Sequence, residues 1–354
     1  MKKQQKNFLF DEPIMNTDGI VLLAKQPGLT SFGELHSVKK ALGTTKVGHT
    51  GTLDSFAQGL LVICTGRLTR LAGNITDFTK TYQAVIKFGE ETDTLEYTGK
   101  IIKKTELPQK QDFFNAVNSF TGNIMQSPPS FSAIHIDGIR SSDLMRSGIQ
   151  TTLPARPVTI YDSKILQIQE NNSNQVEYAL IEFTVSKGTY IRSLARDIGT
   201  KCNSCAHLIG LYRTQVGNFS INDSAGFSKF EPFTIENSIR IMNEQKKLIS
   251  SGKEINQRVQ IKFENINGRK RKVFIPSQEE LKLQEEIRNK RKDFDEETAK
   301  NCGFGIIHLI SDEGYLDFQN GRPIRSKNFE KDLHTLPNNS ITAAFSKDNE
   351  FAGL

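Results

Sequence analysis

Residues 48–59 read GHTGTLDSFAQG, and how this stretch is understood decides how the rest of the chain is read. Gly48 and Gly51 allow backbone geometry denied to other residues, and Asp54 closes the loop ahead of the apolar run Leu60 to Cys64. By spacing alone, an aspartate in that place is a helix N-cap whose carboxylate accepts from the amides of the next turn. The stretch therefore predicts a short helix beginning near Asp54 and then a strand over Leu60 to Cys64.

Working outward, Gly19 to Lys25 is a strand candidate. Ser31 and Glu34 have the spacing of a capping box, and Phe32, Leu35, Val38 and Leu42 follow at helical intervals, with Gly43 placed to stop the helix. Downstream, Lys80 to Phe88 and Val176 to Ser186 alternate as long strands do. Thr189 to Lys201 reads as a helix capped by Thr189, with Tyr190 and Arg192 in its first turns. Taken singly, Tyr82 is strand packing and Arg192 a solvated surface charge. Residues 18 to 245 form one mixed α/β unit on this reading.

A chain of 354 residues favours about two domains and can bury a core without staples. The net charge is +6, but residues 246 to 300 hold 15 Lys+Arg against 10 Asp+Glu, so the remainder is almost neutral. Any RNA surface outside that segment must come from local clustering. Lys2, Lys3 and Lys6 precede only a three-residue apolar run, too short for a secretory signal. No apolar stretch approaches a membrane span, and a cytoplasmic protein is expected. Cys64 falls in an apolar run, where a buried reduced thiol is the expectation; Cys202 and Cys205 have half-site spacing without two further ligands, so no metal is assigned.

Three segments gain a common meaning through a resemblance. Gly48, His49, Gly51, Leu53 and Asp54 with Ala57 and Gly59, then Lys80 and Tyr82, then Ser186 to Arg192 (SKGTYIR), resemble in order and interval the bacterial TruB family of tRNA pseudouridine synthases. Gln126 to Pro128, Ser132 with Ala133, Ala155 to Val158, and Ala206, His207, Leu211 and Arg213 add to the match. It covers about residues 18 to 230.

The resemblance implies an α/β (α+β mixed) pseudouridine synthase fold, with a central, mostly antiparallel mixed sheet flanked by helices. It implies isomerisation of a T-loop uridine, in which the N1–C1′ bond breaks, the base turns, and C5 joins C1′. The family assigns the catalytic carboxylate to Asp54, as nucleophile or base, and sequence leaves the two open. Arg192 would pair with and orient Asp54. Tyr82 would lie against the base and take part in removing the C5 proton, and Leu211 would form an apolar wall. His49 would fill the space left by the extruded base. Gly48, Lys25, Tyr190 and Lys187 complete the expected substrate-binding set. The isomerisation needs no metal or organic cofactor. The expected partner is the tRNA T-loop and stem, bound by a monomer with no membrane and no obligatory protein partner.

The expected organisation is an N-terminal extension over 1–17, a catalytic domain over 18–245, and a charged insertion or linker over 246–300, exposed and partly helical at most. A C-terminal module over 301–354 follows, in which Phe318 to Arg325 (FQNGRPIR) resembles the start of a PUA domain; the module looks truncated. The basic runs between 269 and 292 suit a solvated linker more than phosphate contacts. Ser55 replaces the family's proline after the catalytic aspartate, Lys25, Gln26, Pro27 and Gly28 carry a displaced proline, and Phe131 and His135 replace a tyrosine and a lysine. The competing readings are a tRNA-binding folding chaperone in which catalysis is secondary or lost, and a guide-RNA-dependent synthase like the archaeal relatives.

Overall fold

The computed structural model describes residues 17–251, 259–266, 269–331 and 341–354, with the side chains of 259–266 and 269–274 outside that description. The N-terminal lysines and the side chains of the basic run 269–272 therefore lie outside the described residues.

Among the described residues, one nine-stranded sheet dominates, built from β1 (Gly19–Lys25), β2 (Val47–His49), β3 (Gln58–Thr65), β4 (Lys80–Phe88), β5 (Gly122–Gln126), β6 (Arg156–Glu170), β7 (Val176–Val185), β8 (Ala206–Val216) and β9 (Phe219–Ser220). The strand order is β1-β3-β8-β4-β7-β6-β5, with β2 beside β3 and β9 beside β8. The pairings are antiparallel except where β8 runs parallel to β3 at Tyr212–Gln58 and Arg213–Gly59. This is the expected mixed, mostly antiparallel sheet.

β1 and β3 read as continuous apolar runs because both faces are covered. One face, carrying Val21, Leu23, Leu61 and Ile63, packs on Leu35 and Val38 of α1 (Ser31–Leu42). The other, with Ile20, Leu22, Leu60 and Val62, packs on Phe294, Phe304 and Phe345. The largest core lies about β4, β7 and β8, where Ala84, Ile181 and Phe183 share one face and cluster with Leu194 and Ile198 of α2 (Ile191–Lys201).

Several local expectations need correction. No helix follows Asp54; residues 54–57 make a turn closed by Ala57 N donating to Asp54 O, and the chain passes directly into β3. The N-cap of α1 is Thr30, whose hydroxyl accepts from Gly33 N, so Ser31 and Glu34 form no capping box. Phe32 faces solvent, whereas Leu35, Val38 and Leu42 are buried as expected. Thr189 does not cap α2, since Tyr190 holds that position without a side-chain bond.

The charged segment also holds more structure than an exposed, partly helical linker. After α3 (Ile235–Ser250) it contains an antiparallel hairpin, β10 (Val259–Ile266) with β11 (Arg269–Pro276), and then α4 (Gln278–Lys290). Leu283 and Ile287 of α4 enter the core under α1, and residue Lys292 exchanges both backbone hydrogen bonds with Ile20, closing the edge of β1. The charges of α4 mask two buried apolar residues on one side. Beyond it, β12 (Gly305–His308), β13 (Thr342–Phe345) and β14 (Phe351–Gly353) form a three-stranded sheet.

Candidate active site

The loop from Thr50 to Ala57 is shaped by side chains distant in sequence. Ser31 Oγ donates to Leu53 O at 3.0 Å and accepts from Leu53 N at 2.8 Å. Lys25 Nζ donates to Ala57 O at 2.6 Å and to Ser55 O at 3.2 Å, and Arg213 Nη2 donates to Gly51 O at 3.1 Å. Leu53, Phe56 and Ala57 anchor the loop in the core. What remains free to project is the Asp54 side chain, one-third exposed, on the wall of a cavity of about 1170 Å³.

Arg192, in the first turn of α2 and almost fully buried, meets Asp54 with two parallel bonds, Nε to Oδ2 and Nη2 to Oδ1, both 2.9 Å. Its remaining N–H groups go to backbone, with Nη1 donating to Thr94 O at 3.0 Å and Nη1 and Nη2 to Phe131 O at 3.1 and 3.2 Å. The fork is thus held from both sides, which fixes the carboxylate in one orientation.

Tyr82 on β4 and Leu211 and Arg213 on neighbouring β8 reach the same cavity, as do His49 at the end of β2 and Tyr190 ahead of α2. Burial and the nearby Arg213 push the His49 imidazole below its ordinary pKa, so the ring is neutral near pH 7. Burial raises the Tyr190 phenol, with Arg192 opposing. Three expected residues lie elsewhere. Lys25 is fully buried beneath the loop, Gly48 sits on β2 outside the cavity lining, and Lys187 is exposed and paired with Asp77 at 2.7 Å. The Cys202 thiol donates to Ile198 O, and Cys205 accepts from Thr105.

Other cavity residues have no assigned role in the sequence reading, although Lys80 belongs to its matching motif and Phe32 to its helix pattern. Glu96 lines the wall, and burial raises its carboxyl to about 7, with the Asp54 charge adding to the rise and Arg192 opposing it. The preceding Leu95 holds a left-handed φ of 61° although buried, a conformation that costs a side-chain-bearing residue energy and recurs at functional sites. Lys80, pushed down to about 8 by burial and Arg213, donates to Phe78 O at 2.6 Å and borders the cavity. Phe32 stands at its rim. Neither Glu96 nor Leu95 carries a periodic or glycine signal that could have found it.

A family model described as "TruB family pseudouridylate synthase (N terminal domain)" matches residues 39–191. The "tRNA pseudouridine synthase B" of Treponema denticola is 40% identical over 327 residues, covering 88% of this chain and 85% of that protein. The protein of the same name from Borreliella burgdorferi (strain ZS7) is 43% identical over 208 residues, covering 58% of this chain and 72% of its own. Among solved structures, one described as a Cbf5-Nop10-Gar1 complex superposes with a TM-score of 0.58 at 20% identity, over 96% of this chain and 79% of that one. At that identity the likeness speaks for the fold alone.

Proposed function

The chain belongs to the TruB family and is a tRNA pseudouridine synthase, and we propose that it isomerises a uridine of the T-loop with Asp54 as the catalytic carboxylate. The observation that carries the assignment of Asp54 is its two-point pairing with buried Arg192 on the wall of the cavity that Tyr82 and Leu211 also line. A carboxylate in that setting is aimed by the guanidinium while the rest of the wall accepts a base.

In this reading the target uridine is turned out of its stack into the cavity, at a cost of a few kcal/mol. Asp54 either attacks C1′ as the N1–C1′ bond breaks and is displaced when the turned base joins C1′ through C5, or removes the C2′ proton as that bond breaks and returns it when C5 adds; in both, C5 loses its proton and N1 gains one. The Tyr82 ring lies against the base, with its hydroxyl in reach of the C5 proton. Neutral His49 suits the vacated stack, since a flat uncharged ring replaces a base there without bringing a charge out of water. Lys25 acts from beneath as a positioning residue for the Asp54 loop. Tyr190 contributes to the base-binding wall, and Lys187 and Gly48 act from outside it. The reading extends to a monomer that acts without an obligatory protein partner, in the cytoplasm. No helix among the described residues is long and apolar enough to cross a membrane. Because Asp54, Tyr82 and Arg192 converge, no observation favours a chaperone with lost catalysis.

The test is tritium release from a tRNA transcript labelled at uridine C5. Wild type should release tritium, with the modified nucleotide mapping to the T-loop, and Asp54→Asn should release none above background. A wild type that binds tRNA without release, or an Asp54→Asn variant with full activity, refutes the assignment.

A further inference from the structure

We propose that the exposed side of α1, led by Phe32, is a docking strip for the substrate RNA, on which a nucleotide beside the flipped uridine stacks. The proposal rests on the RNA substrate assigned above.

Phe32 is 73% exposed, although the other large apolar residues of α1 are buried. A solitary exposed apolar side chain is ordinary in itself. This one lines the same cavity as Asp54. Its place is also fixed relative to the chemistry, because the neighbouring Ser31 hydroxyl is bonded in both directions to Leu53, the residue before Asp54. Ring and carboxylate therefore belong to one rigid unit, as a surface that must register a strand against a reaction centre requires.

His36, Lys39 and Lys40 follow Phe32 along the helix at intervals that return to its side, with His36 and Lys40 exposed and Lys39 half-buried. Lys39 Nζ lies 5.6 Å from the centre of the Phe32 ring. Arg140 and Arg146, the latter paired with Asp143 at 2.8 Å, border the same cavity. A flat ring flanked by cations fits a nucleic-acid strand, offering a π-face to a base and positive charge to its phosphates. A protein partner would seek a broader apolar patch, and α1 exposes no second large apolar residue. The strip runs on from the reaction cavity, so its occupant is the strand that enters there.

The experiment uses the full chain and T-arm stem-loop transcripts carrying 2-aminopurine at either neighbour of the target uridine, read by binding, by fluorescence and by tritium release. Phe32→Ala should weaken binding and raise KM on the order of tenfold, with the rate at saturating RNA little changed. Phe32→Tyr should restore binding, and Phe32→Leu, which keeps apolar bulk without a ring, should not. One neighbouring 2-aminopurine should be quenched on wild type and lose that quenching on Phe32→Ala. The proposal is overturned if Phe32→Leu binds as tightly as wild type, or if neither fluorophore responds to removal of the ring. A wild type that binds and quenches but releases no tritium would refute the proposed activity while leaving the docking strip standing.

Discussion

At the scale of single residues, the cavity depends on groups whose charge is set by their neighbours. Arg192 spends its N–H groups on Asp54 and on the carbonyls of Thr94 and Phe131. A lysine there keeps the charge and loses the fork, so Arg192→Lys should lower kcat by about a hundredfold, the scale of a misplaced reacting group, while circular dichroism stays native. Glu96 gives a pH signature. Its carboxyl titrates near 7 in the folded protein and near 4.5 when unfolded. Between those values the folded state holds the extra proton, so the wild type loses stability as pH rises through this window and regains none above it. Gln resembles the protonated form. Urea titrations of Glu96→Gln should therefore match wild type near pH 4 and exceed it by about 3 kcal/mol near pH 8. An equal gap at both pH values would mean that Glu96 does not titrate there.

At the scale of elements, the same site shows where reading the sequence succeeds and where it stops. Gly19–Lys25 and Lys80–Phe88 were legible to the residue, because a strand announces itself by its own composition. The loop holding Asp54 was not. Its conformation is imposed by Lys25, Ser31 and Arg213, which lie from 22 to 162 residues away from the groups they bind. No local window contains them, and spacing alone favoured a helix that does not form. Asp54, Tyr82 and Arg192 were singled out through family likeness and lie on one cavity, while Glu96 and Phe32 needed coordinates to be placed there. The parallel contact of β3 with β8 has a sharp test. Gly59 has φ +123°, and a Cβ there would lie 2.4 Å from Arg213 O and 2.5 Å from Arg213 N, both backbone atoms that cannot swing aside. Gly59→Ala should cost about 3 kcal/mol in urea unfolding and lower activity together with stability, since Arg213 also supports Gly51. Unchanged stability would contradict this packing.

At the scale of the whole molecule, the apolar runs of β1 and β3, beyond the part that α1 covers, are explained by segments that follow Asp54, Tyr82 and Arg192 in the chain. α4 covers part of one face through Leu283 and Ile287, and the C-terminal segment covers the other through Phe304, just ahead of β12, and Phe345 of β13. The charge of residues 246 to 300 concealed the first contact, because two buried side chains on a helix are enough to dock it. A module that shares a core with the main sheet cannot be released without exposing Ile20, Leu22, Leu60 and Val62 to water. Phe345→Ala, which empties a fully buried ring position, should thus destabilise the entire chain by about 3–5 kcal/mol. Calorimetry should show one heat-absorption peak, moved to lower temperature, and far-UV and near-UV signals should be lost together. Two separated peaks, with the earlier alone shifted by the substitution, would instead mean that the C-terminal sheet folds as an independent domain and only leans on β1 and β3.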